Sequence, residues 1–168
     1  MSMREKPNII VLPPNTYGFT EMNIADQWKR ISEGRIKARH ISLYCVISHQ
    51  NGVYPLIGEG AWIGHFTIID GSQGLTIGRN VEVSNGVHIY THSTHERATL
   101  GKKKLVGSVE IGDNVFLGAK ATVSHGCKIG SNVILAAHAF LKPYIIIKDS
   151  EVWGGIPAKK IIGRRKGK

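Results

Sequence analysis

Two histidines, His92 and His95, stand three residues apart in the segment IYTHSTHE, which runs from Ile89 to Glu96. The hydroxyl residues Thr91, Ser93 and Thr94 lie around them. An imidazole titrates near neutrality, so a histidine at the root of a loop can take a proton from a hydroxyl as that oxygen attacks a carbonyl. Glu96 is a candidate to orient one of the rings, or is simply solvated. His88 lies just before the pair and His125 well after it. The two cysteines, Cys45 and Cys127, are far apart and form no CxxC pair. The chemistry the pattern suggests is general-base transfer rather than covalent thiol catalysis.

Such a pair must be carried by something, and the carrier is written in the aliphatic residues. Twelve positions six residues apart, in three blocks, hold only Ile, Leu or Val. They are Ile57, Ile63 and Ile69; Ile77, Val83 and Ile89; and Ile111, Leu117, Val123, Ile129, Leu135 and Leu141. A fixed short period means one structural unit repeated. Six residues make a short strand and a turn, and three such sides close a triangular coil with the aliphatic residues pointing inward. Glycine follows six of them, at Gly58, Gly64, Gly78, Gly112, Gly118 and Gly130, and is expected to serve the corner. Small residues four positions after the aliphatic, such as Ala61, Ala121, Cys127 and Ala139, suit a narrow interior.

The period divides the 168-residue chain. Residues 1–56 lack it and are expected to cap the coil, with a strand over 9–12, a helix from Asn23 to about Arg35 and a strand over 41–48. Residues 57–147 form the coil, interrupted by an insertion over about 92–108, and such excursions often build a binding face. Residues 148–168 form an extension with a basic tail. The formal charge is +10, with Lys102, Lys103 and Lys104 in one cluster and Lys159, Lys160, Arg164, Arg165, Lys166 and Lys168 in another. Such runs are solvated surface or sites for phosphate; without interleaved aromatics or a recognition helix, nucleic acid is not expected. No run of eighteen apolar residues exists, so no membrane span is expected, and cysteine usage suggests a cytoplasmic setting.

The hexad array, the insertion after IYTHSTHE, the return VEIGDNVFLGAKATV and the ending GGIPAKKIIG together resemble the left-handed β-helix acyltransferases. The sugar O-acetyltransferases of the maltose, galactoside and nodulation type are the nearest in pattern, over roughly residues 57–163. The resemblance implies an all-β left-handed parallel β-helix that assembles as a homotrimer, uses acetyl-CoA without a metal, and builds its sites between subunits. It places the general base at His95 with a one-residue shift in spacing, and at His92 in the alternative alignment. It puts the coenzyme along Ala119 and Ala137, with the Ala119 amide facing the oxyanion. Gly155, Pro157, Ala158 and Lys159 align with the adenine-end segment, and Lys159, Lys160 and Arg164 are candidates for the phosphates. Asp70, in FTIIDGSQG, either holds an acceptor hydroxyl or caps the turn, and His65 is placed near the same corner. Lys142-Pro143 replaces a threonine-lysine of the family, so no contact is carried over there, and Phe116 in place of tryptophan should preserve packing.

The activity so implied is acetyl transfer from acetyl-CoA to a hydroxyl of a sugar or surface-polysaccharide unit. Alternatives are a serine acetyltransferase, an amino-sugar N-acyltransferase, a γ-type carbonic anhydrase and a non-catalytic scaffold. For the carbonic anhydrase, SHGCKIG with His125 resembles a ligand segment, but Lys120 stands where a second histidine is needed.

Overall fold

In a computed structural model, residues 19–21, 36–42, 45–50 and 53–161 are described. The expected strand over 9–12, the helix from Asn23 and the end of the basic tail lie outside them. The chain winds as a left-handed parallel β-helix with three flat faces. Right-handed crossovers are the rule where a helix packs back on its sheet, but here short turns join the strands and that constraint is lifted. The first face stacks Val46–Gln50, Ile68–Asp70, His88–Ile89, Thr122–Val123 and Phe140–Leu141. The second stacks Leu56–Ile57, Leu75–Ile77, Val109–Ile111, Lys128–Ile129 and Ile146–Ile147. The third stacks His40–Ile41, Trp62–Ile63, Glu82–Val83, Phe116–Leu117, Ile134–Leu135 and Val152–Gly155.

All twelve periodic residues are buried, between 0% and 3% exposed, and so are the small residues four positions later. In-register pairs such as Ile69–Ile89 and Ile89–Val123 place like side chains directly above one another. Burying such a side chain is worth roughly 1.5–3 kcal/mol, so the repeated column supplies most of the stability. The ladders also extend before Ile57: Ile36 bridges to Ile57, Ile41 pairs with Ile63 and Ile47 with Ile69. Ile147 adds a further inward position, 2% exposed. Phe116, by contrast, points outward and is 45% exposed, so it packs no core.

The glycines after the aliphatic residues do not make the corners by left-handed backbone. A Cβ on Gly78 would lie 2.5 Å from the Gly112 carbonyl oxygen, and one on Gly58 would lie 2.6 Å from the Gly78 carbonyl carbon. These glycines let adjacent coils approach. The left-handed residue comes two positions later, at Gly60, Phe66, Asn80, Gly86, Asn114, Lys120, Gly126, Asn132, His138, Tyr144 and Ser150. That is the third position of the turn, where a type II turn needs positive φ. Ser72 and His92, the residues at the equivalent position after Ile69 and Ile89, are not left-handed. Both of these irregular corners follow the first face.

The chain leaves the coil after Thr91 and returns at Gly107. His92–Ser93 pairs antiparallel with Leu105–Val106, and a helix, α1, spans His95–Leu100 with no buried residue. The gap is closed in the ladder by Gly107 N–H donating to the Thr91 carbonyl at 3.0 Å and Gly126 N–H to the Gly107 carbonyl at 3.1 Å. At the last coil, Val152–Gly155 turns back antiparallel onto Ala158–Lys160. At the first, Phe19–Glu21 runs antiparallel along Val46–Gln50. No helix among the described residues is long and apolar enough to cross a membrane.

Candidate active site

The irregular corners bring together Asp70, Ser72, Thr91 and His92. Asp70 ends its strand with a carboxylate only 3% exposed, a costly position for a charge unless it is well bonded. Its Oδ2 accepts from the Thr91 backbone N–H at 3.0 Å and hydroxyl at 2.9 Å, and from His92 Nδ1 at 2.7 Å. Its Oδ1 accepts from the Ser72 N–H at 2.9 Å and the Ser48 hydroxyl at 3.4 Å. Burial works against the charged form, but the bonds from His92, Ser72 and Thr91 outweigh it and hold the carboxyl well below the usual carboxylate range. Thr91 is fully buried, and its hydroxyl also accepts from the Gln73 N–H at 3.1 Å.

An ionised carboxylate only accepts, so the proton of His92 must sit on Nδ1. That tautomer leaves Nε2 with a lone pair, on a side chain 21% exposed beside a partner only 5% exposed. A ring whose Nδ1 is fixed by a buried carboxylate, with the lone pair on Nε2, is the arrangement a general base requires.

His95, the other expected base, opens α1 and is exposed. Its Nδ1 meets the Ser93 hydroxyl at 2.8 Å, and among the described residues no carboxylate pairs with it. Glu96 reaches Lys102 Nζ at 3.4 Å instead. The sequence left Asp70 as either an acceptor ligand or a cap of the turn; it does cap the turn, through the Ser72 N–H, but it also holds a histidine that the sequence did not connect to it. The signal was available: aligning Ile69 with Ile89 puts Asp70 level with Tyr90, two residues from His92.

One coil further on, His125 is 2% exposed, and among the described residues its Nε2 has no hydrogen-bond partner. Its ring meets Tyr144 edge-on, with centroids 5.2 Å apart. Burial, and then the nearby His95 and His92, push the His125 pKa down. The Tyr144 hydroxyl donates to the Val106 carbonyl at 3.1 Å, tying the returning limb of the insertion to the coil. Gly126 lies under the Tyr144 ring, where any Cβ would overlap it.

The remaining expected residues lie elsewhere. Ala119 and Ala137 are exposed, one coil apart, at the corner leading from the third face into the first. His138 N–H donates to the Ala119 carbonyl at 2.9 Å, and neither alanine amide donates to another backbone carbonyl among the described residues. His65 belongs to this same corner column, at the opposite end of Ile68–Asp70 from Asp70, and its N–H donates to Asn85 Oδ1 at 2.9 Å. A single chain therefore does not bring His92 to Ala119 and Ala137. Gly155, Pro157, Ala158, Lys159 and Lys160 form the terminal hairpin, in which Lys160 Nζ is 2.8 Å from Glu151 and Lys159 is exposed. Trp153 Nε1–H donates to the same Glu151 at 2.8 Å. Arg164 lies outside the described residues.

Two repeat models match the chain: bacterial transferase hexapeptide (six repeats) over residues 108–143, and hexapeptide repeat of succinyl-transferase over 56–91. The chain is 38% identical over 103 residues to an acyl-[acyl-carrier-protein]–UDP-N-acetylglucosamine O-acyltransferase of Campylobacter concisus, covering 60% of this chain and 39% of that protein. It is 33% identical over 138 residues to a serine acetyltransferase of Mycobacterium tuberculosis, covering 80% of this chain and 54% of that protein. The chain thus spans about two fifths to just over half the length of these relatives. Among solved structures, AntD, an N-acyltransferase from Bacillus cereus in complex with dTDP and 3-hydroxybutyryl-CoA, superposes with a TM-score of 0.67 at 21% identity. That match covers 78% of this chain and 72% of AntD. A maltose O-acetyltransferase from Clostridium difficile superposes with a TM-score of 0.64 at 22% identity, over 88% of this chain and 79% of that one. At these identities the two structures speak for the fold.

Proposed function

We propose that the protein is an acyl-CoA-dependent acyltransferase that moves an acetyl group from acetyl-CoA to a hydroxyl of a saccharide, with His92 as general base. The observation that carries this reading is the 2.7 Å contact of His92 Nδ1 with the buried, ionised Asp70. Asp70 fixes the tautomer and steadies the imidazolium that forms. His92 Nε2 takes the acceptor's O–H proton while that oxygen bonds to the thioester carbonyl carbon. The tetrahedral carbon then expels the sulfur, and His92 returns the proton to the leaving thiolate. A placed base of this kind is worth about 10²–10⁴ in rate.

His95 becomes a flanking residue in this reading, and Asp70 an orienter rather than an acceptor ligand. The exposed, small-residue corner at Ala119 and Ala137 suits an extended pantetheine chain, with the Ala119 N–H available to an oxyanion. Because that corner is remote from His92 in one chain, the site is assembled between neighbours in a homotrimer. Lys159 is left for a phosphate of the donor, while Lys160 is engaged by Glu151. A UDP-N-acetylglucosamine O-acyltransferase and a serine acetyltransferase among the relatives, with an N-acyltransferase and a maltose O-acetyltransferase among the fold neighbours, support the reaction class. The same base serves an amine, so amino-sugar N-acylation is the second reading.

The test is thiol release from acetyl-CoA across a panel of sugars, amino sugars and serine. His92→Ala should abolish turnover, and His95→Ala should leave it within about tenfold of the parent. Loss in His95→Ala with retention in His92→Ala would overturn the assignment.

A further inference from the structure

His92 sits on a part of the chain that packing does not hold. Neither strand of the ribbon formed by His92–Ser93 and Leu105–Val106 carries a buried residue, and α1 between them buries none. The ribbon is tied to the coil by single bonds instead. Asp70 holds His92 Nδ1 at 2.7 Å, Gly107 N–H reaches the Thr91 carbonyl at 3.0 Å, and the Tyr144 hydroxyl reaches the Val106 carbonyl at 3.1 Å. The last of these comes from a residue that the transfer mechanism leaves without a task.

The register shows why that bond bears on the base. Gly107 donates to Thr91, so the next pair, His92 with Val106, is the narrow kind, whose own amides and carbonyls point out of the ribbon. Opposite side chains in such a pair share one face with Cβ atoms about 4.5–5.5 Å apart, which makes Val106 the direct cross-strand neighbour of His92. The Val106 carbonyl, turned outward, is the acceptor that Tyr144 takes. Tyr144 is itself firmly seated. Its N–H donates to the His125 carbonyl at 3.1 Å, and its ring meets the His125 ring edge-on. Under the ring lie Gly107 on the returning limb and Gly126 on the coil. A Cβ on Gly107 would come within 3.3 Å of the ring, and one on Gly126 would overlap it. Tyr144 takes this seat with φ at 60°, a left-handed backbone that is uncommon for a bulky side chain. It remains 57% exposed, so burial of apolar surface is not what the seat achieves.

We infer that Tyr144 is a positioning residue for acyl transfer: by holding the Val106 carbonyl it fixes the strand opposite His92, and so the direction of the imidazole that Asp70 grips at Nδ1. This rests on the reading of His92 as general base, and it deepens that reading by naming what sets the aim of the base. Tyr144 touches neither the substrate nor the reacting atoms and acts through Val106. Asp70 from an earlier coil and Tyr144 from a later one together leave the ring one orientation. Aim matters because a misplacement of about 1 Å can cost about 10²-fold in rate.

The test compares the parent with Tyr144→Phe, which keeps the ring on its seat and removes the hydroxyl. In full-length protein carrying isotope-labelled histidine, the Nδ1 proton of His92 is identified by its absence from His92→Ala, and its exchange with solvent is followed by NMR. Tyr144→Phe should speed that exchange at least about tenfold. In thiol release with the acceptor that the parent turns over fastest, it should lower kcat about tenfold and leave KM for acetyl-CoA within about twofold. Tyr144→Leu, which removes ring and hydroxyl together, should do little more than Tyr144→Phe. Where the parent turns over, an unchanged His92 proton or an unchanged kcat in Tyr144→Phe would overturn the inference, even if the ribbon and α1 loosened. A loss confined to Tyr144→Leu would also overturn it, by assigning the effect to packing. A parent that releases no thiol with any acceptor would sink the transferase reading instead, and the His92 proton would still decide whether Tyr144 positions the ring.

Discussion

Asp70 stays charged inside the protein because backbone and side-chain donors surround it, and the base proposed at His92 depends on that charge. An asparagine there would present an amide to His92 and favour the other tautomer, closing the catalytic nitrogen. Asp70→Asn should lower kcat by about 10²–10⁴ with little change in KM for acetyl-CoA, read by thiol release. His125 offers a pH-dependent counterpart. Its depressed pKa means that the unfolded chain binds more protons than the native one as pH falls through about 6.5. Its neutral form therefore contributes stability at neutral pH that is lost on acidification toward its lower folded pKa. His125→Phe should flatten the fall in melting temperature between neutral and mildly acid pH, measured by thermal denaturation across that range.

The strands and corners show how far the sequence could be read. The core from Ile57 to Leu141 was visible because its large inward residues recur six apart within each of three blocks, and the structure buries all twelve. The coil before Ile57 escaped notice because Ile36 and Ile41 are five residues apart, which breaks the period although the ladder pairing survives. The glycines were visible but not their duty, since closeness between coils leaves the same composition as a left-handed turn. The hairpin and α1 inside the insertion carry no core residue, so no apolar pattern announced them. The Asp70–His92 pair joins residues twenty-two positions apart, a relation that only the stacking register reveals. Gly118→Ala tests the closeness: its Cβ would press on the Ala137 amide, and overpacking of this kind costs about 1–3 kcal/mol, read as a lower denaturation midpoint. Tyr144→Phe removes the bond to the Val106 carbonyl, and proteolysis or amide exchange should open first within residues 94–106.

The whole molecule has a triangular section, and the proposed mechanism divides its chemistry between corners. If His92 of one chain works with the Ala119 corner of a neighbour, two defective variants should rescue each other. His92→Ala mixed with Ala119→Trp and reassembled at equal amounts should recover activity at about a quarter of the sites, while each alone is inactive and sediments as a trimer. Absence of recovery from well-formed mixed trimers would place both halves of the site in one chain.

Both ends of the stack also bear on solubility. Parallel ladders of this kind have no intrinsic stopping point, since each coil presents the same amides and carbonyls as the one before. Phe19–Glu21 and Ala158–Lys160 lie antiparallel across the two terminal regions, and a reversed strand offers no template for another parallel coil. These short segments act as terminators, and a chain cut after Ile147 would present a bare rung to its neighbours and should grow end to end into fibrils.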